Sequence, residues 1–336
     1  MQSKGFFKSA STIIGILCFV MFPMVSLAAE VNLRLGHVAP TGPTTHDVSS
    51  TKFAERVAVN TGGKVEIKVF GNSQFGGLQE HWAQVKSGAI DVFVQDVSAS
   101  SMVEPEPKNF HVMLAPYVFD SQEHYQKFIR SDLFKSMMAK VEKAANLKFI
   151  GYLGDRTPRG FTTTSKQAAT PNELKGIKLR VPELPIFVDT YKAWGANPTP
   201  VSAKDLYTSL KSGMVEGMDQ DIAMTYAAKY YEIQKYFVAI DYNRSGMGCW
   251  MNAKKWEALP ADLQAAFLKS GLEAEAYVNK FTAQQAADAE KGLTEAGCKI
   301  IRPDLKPWKE LAEKEVLKND GKLWEKGLYD RIKAIK

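Results

Sequence analysis

The chain has 336 residues, 45% of them hydrophobic and 24% charged, with a formal net charge of +6. That length exceeds one ordinary core and predicts two domains. The charge is mild and its bases are interleaved with acids, which gives no basis for nucleic-acid binding and only a weak preference for anionic ligands.

Lys4 and Lys8 precede an apolar run, Ala10 to Val25, and a small-x-small pattern, Ser26-Leu27-Ala28. This is the layout of a Sec signal peptide, assigned to residues 1–28, and it places the mature protein in the periplasm. The run is short for a spanning helix and Pro23 interrupts it. The residue before Cys18 is Leu17, so no lipid anchor is expected. Beyond the leader, Cys249 and Cys298 remain; spacing alone leaves their pairing open.

Val31 to Val38 alternates as a strand, a Gly/Pro loop follows, and Thr45 to Asn60 carries helical spacing that Gly62-Gly63 ends. Lys64 to Phe70 is a second strand, a helix runs from Gly76-Gly77 to Lys86, and Ala89 to Val94 is a third, buried strand. This β-α-β-α-β order predicts a parallel sheet with helices on both faces. Ser121 to Ala145 is predicted helical and Leu147 to Leu153 a strand. A second α/β unit starts near Thr157: Arg159 to Thr164 and Leu179 to Val181 read as strands, Ile186 to Trp194 and Ala203 to Ser212 as helices, and Val215 to Asp219 as a short strand. Thr225 to Ile233 returns to helix. Tyr236 to Ile240 and Met247 to Met251 read as strands leading back to the first unit, and Ala261 to Ala289 as a helix long enough to cross two domains. No flexible tether is visible, so the boundary falls at strand crossovers.

Arg180 stands where a strand stops and a turn begins, the place where open α/β sheets set their ligand-binding groups. Its guanidinium is shaped to grip a carboxylate with two parallel hydrogen bonds; the plainer reading is a surface ion pair. Catalytic signatures are missing. There is no P-loop, no G-x-S-x-G and no G-x-G-x-x-G, and the five histidines show no metal-ligand spacing. No enzyme activity, cofactor or metal is therefore expected. Asp219 and Asp221 read as one ligand-binding acid and one helix cap rather than a catalytic pair. His46 reads as a rim or core residue, as does His37, which is kept as a ligand candidate. Trp194 and Tyr207 read as core.

Several blocks together carry a specific resemblance. They are Phe53 to Phe70, Ser73 to Val92, Arg159 to Lys166 (RGFTTTSK), Leu174 to Pro182 (LKGIKLRVP), Trp194 to Gly217, and Lys254 to Phe267. Across essentially the whole mature length the chain resembles a TRAP-transporter extracytoplasmic solute-binding protein of the DctP type. The resemblance implies a periplasmic-binding-protein-like α/β fold, with two domains around a ligand cleft, crossing hinge strands and a long C-terminal helix. The first domain is drawn as residues 30–155 plus about 246–285, the second as about 156–245 plus 286–336.

By the same resemblance, Arg180 matches the arginine that clamps the ligand carboxylate and Arg159 the second ligand arginine, with Arg156 near enough to compete. Asp219 and Gln220 stand where the family has a glutamate and an asparagine. Asp221 replaces a common proline and offers an acceptor for a hydroxyl or ammonium. Asp96 matches a ligand-facing position of the first domain, and also reads as a helix cap before Val97. The expected partners are a small organic anion and the two membrane subunits of a TRAP transporter, and the protein is expected to be a monomer. A carboxylate is the default ligand. A sulfonate such as isethionate, or a ligand sensor that feeds no transporter, is the alternative.

Overall fold

The computed structural model describes residues 1–2 and 29–336, so the assigned leader lies, from residue 3 onward, outside the described residues. In chain order the strands are β1 (Val31–Gly36), β2 (Val65–Phe70), β3 (Val92–Asp96), β4 (Leu147–Asp155), β5 (Arg159–Thr163), β6 (Lys178–Val181), β7 (Asn197–Pro200), β8 (Gly217–Asp221), β9 (Tyr236–Asn243), β10 (Gly246–Asn252) and β11 (Lys299–Ile301). They form two sheets, ordered β2-β1-β3-β10-β4 and β11-β9-β5-β8-β6-β7. We call the bodies built on them lobe I and lobe II.

The expectation of a parallel sheet needs correction. β1 pairs in parallel with β2 and β3, but β10 lies antiparallel between β3 and β4. β10 enters this sheet from lobe II through Arg244-Ser245, so it lies outside the β-α-β run that makes β1, β2 and β3 parallel. Lobe II is mixed as well, with β5 antiparallel to both β8 and β9. Among the described residues four connections cross between the lobes: residues 156–158, residues 244–245, the helix Ala261–Glu295, which packs on β4 and on the helix Thr45–Asn60 before reaching Ile222–Ala227 in lobe II, and the C-terminal stretch after Asn319, which returns to lobe I.

Local signals explain most boundaries. Thr44 caps Thr45–Asn60 by accepting from the Asp47 amide, and Gly88 closes Leu78–Ser87 in the left-handed conformation. The single helical stretch expected over Ser121 to Ala145 is two helices, Gln122–Arg130 and Asp132–Ala145. Ser131 is extended between them, and its hydroxyl accepts the Phe134 amide to start the second.

One apolar cluster in lobe I joins Leu35, Phe53, Val94 and Phe267. A larger one runs from Phe93 and Trp250 in lobe I to Phe161, Tyr191, Trp194 and Trp308 in lobe II. Trp194 is buried as expected. Tyr207 is instead exposed, with its hydroxyl donating to Glu232, so it is no core residue. Cys249 and Cys298 are both free and buried, one on β10 and the other beside β11, and burial pushes both thiols up. The C-terminal stretch does not stay with lobe II. Helix Lys306–Asn319 packs on Pro185–Ala193 there, but Leu328–Lys333 packs on the Asn109–Leu114 turn before β4, and His124 donates to the Ile332 carbonyl.

Candidate functional site

A cavity of about 120 Å³ lies between the lobes. Lobe I supplies His46, Gln95 and Asp96 to its wall; lobe II supplies Arg180, Leu184, Gln220 and Tyr230; Arg156 enters from the first crossing segment. Gln95, Asp96, Arg180 and Gln220 sit at or near strand ends, where open α/β sheets place ligand-binding groups, whereas His46 comes from the first turn of Thr45–Asn60 and Tyr230 from a 3-10 turn.

Three arginines line the cavity, and they differ in how they are compensated. Arg156 donates to Asp96 at 3.1 Å and to Asp221 at 2.5 Å, so it ties a lobe I acid to a lobe II acid. Burial works against the charge of both acids, yet Arg156 holds both carboxyls below the ordinary range, helped at Asp96 by Ser98 and at Asp221 by the Met224 amide. Arg159 is paired with Asp219, its Nε donating at 2.8 Å. Burial pushes this guanidinium down, but the Asp219 charge outweighs that and keeps it protonated beyond its usual range. Arg159 also lies over the Phe187 ring, 5.2 Å from its centroid.

Arg180 is different. It is 5% exposed, and its Nε donates to the Val201 carbonyl at 2.8 Å. Among the described residues no acid forms an ion pair with it, and burial pulls its pKa down to about 10. A buried cation without a counter-ion is costly, and an anion entering the cavity relieves that cost. The Tyr230 hydroxyl, near enough to feel the Arg180 charge and pushed up by burial, is a second group beside the same space.

Of the eight residues singled out in the sequence, Arg180, Arg159, Arg156, Gln220 and Asp96 line the cavity, and Asp219, Asp221 and His37 do not. Asp219 is fully buried behind Arg159 and accepts from Tyr191 at 3.0 Å and from Tyr242. Its carboxylate is saturated by the protein, because two phenols and a guanidinium occupy its lone pairs. Asp221 accepts from Arg156, Thr157 and the Met224 amide, the last as the cap of Ile222–Ala227. His37 is buried against Asp47, with Nε2 at 3.0 Å from Oδ1. Asp96 both caps the following 3-10 turn and pairs with Arg156.

The wall also holds His46, which the sequence reads as a rim or core histidine, and residues the sequence does not single out, among them Gln95, Glu183, Phe187, Tyr230 and Asn243. His46 donates from Nε2 to Gln95 Oε1 at 2.9 Å, and that oxygen also accepts the Asp96 amide. Its Nδ1 is left without a partner, and burial, then Arg156, pull its pKa to about 3, so it is neutral. The signal for these residues is spatial, since Gln95 stands 49 positions from His46.

The profile of the DctP family, described as bacterial extracellular solute-binding protein, family 7, matches residues 35–320. The chain is similar to the 2,3-diketo-L-gulonate-binding periplasmic protein YiaO of Escherichia coli, with 26% identity over 294 residues that cover 88% of each chain. Its fold matches a TRAP periplasmic solute binding protein of Sulfurospirillum deleyianum solved with bound succinate, at 25% identity and a TM-score of 0.84, covering 92% of this chain and 100% of that one. It also matches a TRAP periplasmic solute binding protein of Roseobacter denitrificans solved with bound L-galactonate, at 23% identity and a TM-score of 0.82, covering 92% and 99%.

Proposed function

Because the chain belongs to the DctP family of extracellular solute-binding proteins, we propose that it is the periplasmic receptor of a TRAP transporter. It captures a small organic anion between its lobes and presents the closed form to the membrane subunits. The observation that carries this reading is Arg180, a buried guanidinium that has no ion pair among the described residues and opens on an interlobe cavity. An anion that enters loses its hydration, and the guanidinium replaces it with charge-assisted hydrogen bonds.

In this reading Arg180 carries the ligand's acid group, Arg159 and Gln220 meet the rest of the ligand, and Arg156 with Asp96 and Asp221 draws the lobes together. Asp219 is a positioning residue that fixes Arg159. Domain I is residues 30–155 plus about 246–285, domain II about 156–245 plus part of 286–336, and ligand contacts from both favour the closed state. The site suits retention rather than turnover, since every acid in and behind the wall except Glu183 is committed to a protein cation. Among the described residues no helix is long and apolar enough to cross a membrane, as a receptor released into the periplasm requires. The succinate and L-galactonate held by the solved relatives favour a carboxylate over a sulfonate such as isethionate.

The test is a thermal-shift screen of organic acids followed by titration of Arg180→Met with whichever acid binds. The variant should lose on the order of 2–5 kcal/mol of binding free energy. Its ligand-free form should melt no lower than the parent, because the substitution removes a buried charge that has no counter-ion. Undiminished affinity in the variant sinks the proposal.

A further inference from the structure

Resting on that reading, we propose that Gln95 is the ligand contact of lobe I. Its side-chain amide donates to an oxygen of the bound acid remote from the carboxylate that Arg180 holds, so the acid bridges the two lobes. Two independent observations carry this: the backbone fixes which end of the amide faces the cavity, and the other polar side chains that lobe I places in the wall have already spent their donors.

A glutamine can turn either end toward a cavity, and its fixed neighbours decide which. Gln95 stands one residue before the end of β3 and is 5% exposed. Its Oε1 accepts the Asp96 backbone amide at 2.8 Å. A backbone N–H can only donate, so the atom it meets is the oxygen. His46 Nε2 lies 2.9 Å from the same oxygen and is therefore the protonated nitrogen of its ring. That leaves the two N–H groups of Gln95 Nε2. They have no acceptor among the described residues, and Nε2 is not among the buried atoms sealed off without a partner, so the cavity that Gln95 lines reaches it. Gln220 repeats the arrangement from lobe II: its Oε1 accepts the Asp221 backbone amide at 3.1 Å and meets Arg156 Nη2 at 3.4 Å, and its Nε2 is likewise unspent.

The polar side chains that lobe I brings to the wall are His46, Gln95, Asp96 and Ser98. His46 gives its one N–H to Gln95. Asp96 accepts from Arg156 and caps the turn that follows it, and the Ser98 hydroxyl donates to Asp96. Among the described residues Gln95 is thus the lobe I side chain with donors to offer. A donor shut away from water needs an acceptor. A hydroxyl, carbonyl or carboxylate oxygen supplies one, whereas an alkyl or ammonium group leaves the amide unpaired. Arg180 belongs to lobe II, so an acid that also reaches Gln95 touches both lobes and favours the closed state.

Gln95→Glu tests the donor directly. The carboxylate keeps an oxygen for His46 and for the Asp96 amide, and changes only the NH₂ that faces the cavity. The probes are two pairs titrated calorimetrically, 4-oxopentanoate with pentanoate and 5-oxohexanoate with hexanoate. Both members of a pair carry the same charge and differ by a carbonyl, which accepts and does not donate, so the charge that the variant adds cancels in the ratio. In the parent the oxo acid of at least one pair should bind about tenfold more tightly than its alkanoate, as pairing a buried donor gives. That preference should vanish in Gln95→Glu and in Gln95→Met, which adds no charge. If neither oxo acid binds the parent more tightly than its alkanoate, or if the preference survives in either variant, the inference is overturned. Arg180→Met separates the two levels. Succinate or L-galactonate that binds the parent and not this variant keeps the anion-receptor reading even when the role of Gln95 fails, whereas binding that survives in Arg180→Met removes the receptor reading itself.

Discussion

His46 is a neutral imidazole held inside a wall that also contains Arg156, and burial keeps its pKa near 3. In the unfolded chain the same ring titrates near 6.5. Between pH 6.5 and 3 the unfolded state therefore binds a proton that the folded state refuses, and folded stability falls as the pH falls. The slope is about 1.4 kcal/mol per pH unit from this one residue. His81 and His111 are lowered by burial and act with the same sign. His46→Gln keeps a donor for Gln95 Oε1 and removes the titration, so thermal melts of parent and variant between pH 6.5 and 4.5 should diverge, the variant losing less. Parallel curves would show that His46 titrates normally. The residue scale is also where sequence and site part company. Arg180 is legible because an arginine at a strand end announces its own chemistry, and Arg159 only through the family resemblance. His46 is not, because what makes it unusual is its burial in the folded wall and then the charge of Arg156 at the hinge, and its neighbours along the chain show neither.

At the scale of elements, the helices were legible almost to the residue where their caps are local: Thr45–Asn60 matches its expected span, and Lys178–Val181 carries Arg180 as expected. What escaped was pairing. RGFTTT reads as a strand, but nothing in it says that β5 runs antiparallel between β8 and β9. Gly160 shows the consequence. A Cβ there would stand 2.3 Å from the Val238 carbonyl oxygen of β9, a backbone atom that cannot swing aside. The register shift between Arg159 and Phe161 lies at this point, and Arg159 leaves the strand one residue earlier, toward Asp219. Gly160→Ala should cost about 1–3 kcal/mol, as overpacking does, and should weaken ligand binding by displacing Arg159. A variant that melts and binds like the parent would mean that β9 yields without moving β5.

At the scale of the molecule, two separate sheets suggest two bodies that unfold separately, and the core argues the opposite. The apolar cluster that holds Phe93 and Trp250 of lobe I is continuous with the one that holds Phe161 and Trp194 of lobe II. Trp194 packs edge-on to Trp308, with centroids 5.4 Å apart, and donates to its carbonyl. From there the chain runs through Trp324, which is 1% exposed, to Leu328 and Ile332 against lobe I. The C-terminal stretch thus straps the lobes together along that shared core, and the cavity with its single uncompensated guanidinium is left to respond to ligand. A continuous core predicts one cooperative unit. Scanning calorimetry should give one unfolding transition, and Trp324→Ala, which empties a fully buried indole site at a cost of about 3–5 kcal/mol, should move that whole transition down without splitting it. If the variant instead shows two transitions, with lobe I melting at its original temperature, the strap serves lobe II alone and the lobes are independent bodies.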